Sequence, residues 1–187
     1  MKWINKFYLW ATEQLYHRFA WAYDLVAWLV SFGNWSNWRR DALKYLQPGK
    51  VLEIGFGTGA LLSEMTVMGY EAYGLEPSPE MLKAAQRKSK SERISLKVVQ
   101  AYAKKIPFSE RTFKNLISTF PSNFIFDEDT LMEIGRVLTS DGRVVITGFG
   151  VKFRSDLKNW LTGWFLNKAS DGYIELFCQK AEKFEFI

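Results

Sequence analysis

The chain has 187 residues, 48% of them hydrophobic and 24% charged, with a formal net charge of +5. That length holds one domain with a sizeable core, and the balance is that of a folded soluble protein rather than a disordered or membrane-embedded one. One cysteine, Cys178, and one histidine, His17, exclude an internal disulfide and leave no basis for a cysteine- or histidine-built metal site.

Residues 1–18 read as an amphipathic helix, with Trp3, Ile4, Phe7, Tyr8, Ala11 and Leu15 at helical spacing and Lys2, Lys6, Glu13 and Gln14 on other faces. Packing against a core is the plainer reading of that stripe. The sharper one is an interfacial helix making peripheral membrane contact. No signal-peptide pattern accompanies it, which points to a cytoplasmic protein. Phe19 to Phe32 is the most apolar stretch, yet at fourteen residues with Asp24 inside it is too short and too charged to span a bilayer. It reads as a core helix, or as a lid with an aromatic face. Gly33-Asn34 breaks it, and Trp35 to Leu46 forms a further helix stopped by Gln47-Pro48-Gly49.

From Lys50 strand and helix alternate, the signature of an α/β fold: a Rossmann-like, doubly wound, mostly parallel sheet with helices on both faces. The expected elements are a strand over 51–54, a helix over 58–68, a strand over 71–75 ending on Glu76, and a helix opened by Ser78-Pro79-Glu80. That opening has a capping Ser, Pro at the first position and an acid in the first turn. The helix is expected to dissolve into a charged loop at 87–93, followed by strands over 95–99 and 115–118. The acids Asp127-Glu128-Asp129 start another helix to Leu138, and Ser140-Asp141-Gly142 turns into a strand over 143–147. A helix over 156–168 and strands over 173–178 and 183–187 end the chain, a shortened C-terminal strand region. The chain thus reads as a single domain over 1–187, with an N-terminal helical extension or lid over 1–48 and a ligand-binding core over 49–187.

The core is organised around Val51-Leu-Glu-Ile-Gly-Phe-Gly-Thr-Gly-Ala60, a strand that enters a glycine turn and leaves as a helix. Glycine admits positive φ and lets the backbone approach a ligand with no Cβ in the way. The helix start adds unpaired N–H donors. Gly55-x-Gly57-x-x-Ala60 satisfies the dinucleotide fingerprint, and Glu53-x-Gly55-x-Gly57-x-Gly59 satisfies an equally short acidic-glycine pattern, so the turn alone leaves the ligand open. Glu76, twenty-one residues after Gly55, sits where a carboxylate accepts from both ribose hydroxyls of an adenosine, under either ligand. As a strand-tip side chain it is expected to add little to stability without ligand.

Later stretches decide. Glu76-Pro-Ser-Pro-Glu-Met-Leu82, Ala101-Tyr-Ala-Lys-Lys-Ile-Pro-Phe108, and the block from Phe113 through Glu133-Ile-Gly-Arg-Val-Leu138 to Asp141-Gly-Arg-Val-Val-Ile146 resemble the class I S-adenosylmethionine-dependent methyltransferases. Within that family the likeness is to the ubiquinone/menaquinone-biosynthesis-type enzymes, and Tyr16, Phe19, Ala20, Tyr23-Asp24 and Trp38-Arg39 extend it. The resemblance implies methyl transfer from S-adenosylmethionine to a small hydrophobic or lipid-like acceptor, with S-adenosylhomocysteine as product. It implies cofactor contacts from Tyr23, Glu53, Gly55, Phe56, Gly57, Thr58, Gly59, Glu76, Pro77, Met81, Ala101, Tyr102, Ala103 and Thr119. Many members carry an acid for the adenine amino group where this chain has Tyr102, so a stacking or backbone contact has to replace it. No acid–base pair announces itself. His17 is the one candidate base, and an ordinary helix position is its plainer reading. Ser122 and Asn123, in the loop after strand four, are candidates for positioning an acceptor. The basic pairs along the chain read as solvated faces, so the expected partner is a small molecule and not nucleic acid. Two alternatives stand beside this reading: an NAD(P)-dependent oxidoreductase using the same turn, and a protein of this fold that binds without catalysis.

Overall fold

The computed structural model describes residues 33–147 of the chain. The helices expected over 1–18 and 19–32, and the helix and strands expected after 155, lie outside the described residues, as do His17 and Tyr23. In chain order the elements are α1 (Trp35–Asp41) with a 3-10 turn (Ala42–Tyr45), β1 (Val51–Ile54), α2 (Ala60–Val67), β2 (Ala72–Glu76) and α3 (Pro79–Glu92). After these come β3 (Lys97–Gln100), β4 (Phe113–Thr119), a 3-10 turn (Asn123–Phe126), α4 (Glu128–Val137) and β5 (Leu138–Thr147). The five strands form one sheet in the order β3-β2-β1-β4-β5, and every pair is parallel. The expected Rossmann-like α/β architecture is what the chain adopts.

Alternation along β1 shows how both sheet faces are covered. Leu52 and Ile54 join Leu75, Leu116, Ile125 and the α4 residues Ile134 and Val137 in one apolar cluster. Val51 faces the other side, with Leu61, Leu62 and Met65 of α2, Ala85 of α3 and Ala42. Strands buried on both faces read as the near-continuous apolar runs seen here.

Two elements differ from expectation. The helix α3 does not dissolve at residue 87 but runs to Glu92. Met81, Ala85 and Ser89 recur every four residues as its buried face, so the charged residues between them simply point to solvent. It ends where Arg93 takes a left-handed conformation, with the Ile94 N–H on the Ser89 carbonyl. The second difference lies before the expected fifth strand. No separate turn forms at 140–142: β5 starts at Leu138, opposite Phe113, and a register shift between Phe113 and Asn115 absorbs the extra residues before Arg143 pairs with Asn115.

Candidate functional site

In a wholly parallel sheet all strands deliver their following turns to one edge, and ligands sit there where the strand order reverses. In this order the reversal falls between β1 and β4, so the glycine turn after β1 and the loop after β4 flank the crevice.

The three turn glycines have distinct tasks. Gly57 has φ of +57°, and a Cβ built on it would meet nothing within 4 Å. Its open side is free for a ligand. Gly59, at φ +75°, caps α2, and a Cβ there would press on the Ala85 Cβ at 3.1 Å, so its bareness lets α2 and α3 approach. Gly55 donates its N–H to the Leu75 carbonyl at 2.8 Å and faces the Phe124 ring. Phe56 turns inward. Its ring is buried against Gly74 of β2, where a Cβ would come within 2.5 Å of it. Any contact Phe56 makes with a ligand is therefore through its main chain. Gly74 is a site-shaping residue that nothing in the strand pattern announced, apart from a glycine inside a strand. Thr58 is buried in the same turn.

Glu76 is not the lightly held strand-tip acid expected. It is fully buried, and its two carboxylate oxygens accept from the main-chain N–H groups of Gly57 and Ser78, each at 3.0 Å. It thereby ties the glycine turn to the β2–α3 turn, so its removal strands two buried donors and costs stability as well as any ligand contact. Glu53, on β1 and paired across the sheet with Gly74, is the other buried acid among the described residues. Its Oε2 has no hydrogen-bond partner, and burial pushes its carboxyl up to about 8, opposed by Arg39 and assisted by the like charges of Glu76 and Glu64. A buried acceptor left open under a ligand-facing turn is suited to a polar or cationic group arriving from outside.

Past Glu76, the Pro77 carbonyl accepts from Gln100 Nε2 at 3.1 Å, and the Ser78 hydroxyl caps α3 by accepting from the Met81 N–H, with Met81 fully buried. Ala101, Tyr102 and Ala103 follow β3 directly. Ala103 is buried, while Tyr102 is 65% exposed with Lys104 Nζ 5.9 Å from its ring centroid. Thr119 ends β4 opposite Thr147, whose buried hydroxyl has no partner. Next to it sequence reasoning missed Phe120. It lies in the left-handed region at φ +51°, donates its N–H to the Thr147 carbonyl at 2.7 Å, and stacks on Trp35 with ring centroids 4.0 Å apart. No local pattern signals such a conformation in a bulky residue; only its partners hold it. Ser122 and Asn123 are exposed, and Asn123 opens the 3-10 turn.

The structure thus gathers Glu53, residues 55–59, Glu76, Pro77, residues 101–103 and Thr119 at the ends of four adjacent strands. Among the described residues no group of three or more His, Cys, Asp or Glu side chains is placed to hold a metal ion, and no helix is long and apolar enough to cross a membrane.

Residues 51–142 match the family described as a methyltransferase domain. The chain is 34% identical over 133 residues to a demethylmenaquinone methyltransferase of Thermus thermophilus, a match spanning 68% of this chain and 60% of that one. It is 31% identical over 148 residues to a ubiquinone/menaquinone biosynthesis C-methyltransferase of Geotalea uraniireducens, covering 73% and 62%. The chain therefore spans less than two thirds of the length of these curated relatives. A solved structure of a SAM-dependent methyltransferase from Thermotoga maritima shares the fold, with a TM-score of 0.64 at 20% identity over 90% of this chain and 79% of that one.

Proposed function

We propose, for a chain that belongs to the class I S-adenosylmethionine-dependent methyltransferase family, that it transfers the methyl group of S-adenosylmethionine to a small, hydrophobic acceptor. The observation that carries this reading is the open cradle at Gly57 beside the buried carboxylate of Glu76, at the point where the strand order reverses. The residues fit the cofactor. Gly57 leaves room for the nucleoside, Glu76 places a carboxylate beside that room to accept from the ribose hydroxyls, and Glu53 holds an unpartnered buried oxygen beneath the turn.

When bound, S-adenosylmethionine supplies a methyl that is already a strong electrophile. The chain's own work is then to align the acceptor with it and keep water away. In this reading the main chain of residues 55–59 and 101–103 would line the nucleoside, with Pro77 and Thr119 completing the wall, whereas Met81, expected there from the sequence, is fully buried and seats the first turn of α3 instead. Tyr102 replaces the missing adenine acid by a stacking or backbone contact, and Tyr23 faces the sulfonium by cation–π attraction. His17 is the candidate base for an acceptor proton. The names of the relatives support a quinone-class, lipid-like acceptor. An aromatic N-terminal helix over 1–18 would bring a cytoplasmic, single-domain enzyme to a membrane surface for it.

The test is calorimetry with S-adenosylmethionine, S-adenosylhomocysteine and NADH on the same preparation, followed by assay of S-adenosylhomocysteine release over a panel of quinols and phenols. We expect both sulfur nucleosides to bind, NADH not to bind, and at least one phenolic acceptor to turn over. Tight NADH binding without S-adenosylmethionine binding would return the turn to a dinucleotide role.

A further inference from the structure

The connection from β3 to β4, residues 101–112, carries no helix or strand, yet it forms one wall of the candidate site. Its own main-chain bonds are few: Lys105 N–H to the Tyr102 carbonyl and Phe108 N–H to the Ile106 carbonyl. What holds it comes from α4. Glu133 Oε2 accepts from the Ile106 N–H at 2.6 Å. Arg136 donates from Nη2 to the Ile106 carbonyl and from Nη1 to the Phe108 carbonyl, both at 2.8 Å. The two side chains are locked to each other, Arg136 Nε to Glu133 Oε1 at 2.6 Å and Nη2 to Oε2 at 2.8 Å. The exit of the loop is tied to the same turn of helix, since the Arg111 and Thr112 N–H groups bond the carbonyls of Arg136 and Val137.

An exposed ion pair three residues apart on a helix contributes little by itself. This one is half-buried and spends its charge on main-chain groups, which makes the bonds charge-assisted and directional. Its helix is anchored by Ile134 and Val137 in the same apolar cluster as Ala103 and Ile106, so α4, the loop and the sheet share one frame. Only a planar guanidinium can present Nε and Nη2 to a carboxylate while reaching the carbonyls on either side of Pro107.

Resting on the methyltransferase reading, we propose that Glu133 and Arg136 are positioning residues for the base-binding half of the site, fixing the backbone of 101–108 in its ligand-ready shape before the cofactor arrives. They act through Ile106 and Phe108. A loop held in place in advance costs less to order on binding, and the affinity gains by that difference.

The test uses the full chain with Arg136→Lys, which keeps the charge and loses the fork, and Glu133→Gln as a milder second variant. Asp141→Asn serves as a control that breaks the Lys114–Asp141 pair beside the opposite end of β4. Backbone hydrogen exchange without ligand should quicken at 101–108 in Arg136→Lys, less in Glu133→Gln, and stay unchanged in the control. Affinity for S-adenosylmethionine, measured where all variants remain folded, should fall about tenfold in Arg136→Lys. Unchanged exchange at 101–108 in both variants overturns the clamp, and so does quickened exchange with wild-type affinity, since the pair would then only stabilise. Failure of the wild-type chain to bind S-adenosylmethionine at all would instead sink the functional reading, because the exchange measurement judges the clamp without a ligand.

Discussion

The turn after β1 and the loop after β3 supply two walls of the same candidate site and reach their shapes by opposite routes. The turn is shaped by its own glycines and by the strand beside it. Its glycines take backbone conformations that other residues avoid, Phe56 fills the notch at Gly74, and Glu76 bonds the Gly57 N–H. The loop over 101–108 has almost no internal bonding and takes its shape from α4, roughly thirty residues further along the chain. A ligand site can therefore be half written in a short motif and half in a distant helix, and damage to the two halves should look different. Local substitutions in the turn should remove binding outright, whereas release of the loop should weaken it by degrees.

The largest effect should come from Gly57→Val. A branched side chain would fill the open side of the turn, in a backbone region that β-branched residues resist at a cost of about 1–3 kcal/mol. We expect a folded, somewhat destabilised protein with no measurable S-adenosylmethionine binding by calorimetry, and wild-type affinity in that variant would remove the turn from the site.

Glu76→Ala comes next. Hydrogen bonds to a charged group contribute about 1.5–3 kcal/mol each, so losing two ribose contacts should weaken binding by at least about a hundredfold at about 1.4 kcal/mol per factor of ten. The burial of Glu76 adds a second expectation: two stranded donors, at about 1–3 kcal/mol each, should lower the melting temperature without ligand. Loss of binding with unchanged thermal stability would mean that the Gly57 and Ser78 bonds do not form in solution.

Gly74→Ala sharpens the comparison, because it attacks the turn from the neighbouring strand. The added methyl would lie 2.5 Å from the Phe56 ring and 2.6 Å from Leu62, an overpacking that costs about 1–3 kcal/mol. Denaturant unfolding should show that loss, with weakened cofactor binding as Phe56 shifts the turn. Full stability would indicate that the ring does not occupy the notch.

The last effect is a slope with pH and not a loss of binding. Because burial pushes the Glu53 carboxyl up to about 8, the folded state holds a proton that the unfolded chain releases near the ordinary carboxylate range. Between those two values the native state binds more protons, so this residue makes stability fall as pH rises, with its contribution complete below the window and lost through it. Glu53→Gln cannot ionise and should gain stability relative to wild type as pH climbs from about 4.5 to about 8. Parallel stability curves for the two proteins across that range would show that Glu53 does not hold its proton.

The sequence by itself determined the parallel α/β architecture, the glycine turn and the placement of Glu76 at the end of β2. These are local matters: alternation of apolar residues, a capping Ser78-Pro79, and glycines at positions demanding positive φ. Besides the expectation that Glu76 adds little to stability, two elements were misread, and those misreadings were local as well as tertiary. The charges at 87–93 masked a helix whose buried face was Met81, Ala85 and Ser89, and Ser140-Asp141-Gly142 read as a turn because nothing local disclosed that β4 would pair with Leu138. Tertiary structure alone decided how tightly Glu76 is held, which glycine faces a ligand and which a helix, why Phe120 tolerates a left-handed backbone, and what shapes 101–108. The reason is physical. Burial, an unpartnered carboxyl oxygen and a clamp across some thirty residues depend on which groups meet in space, and periodicity along the chain carries only the tendency of each segment to fold as it does.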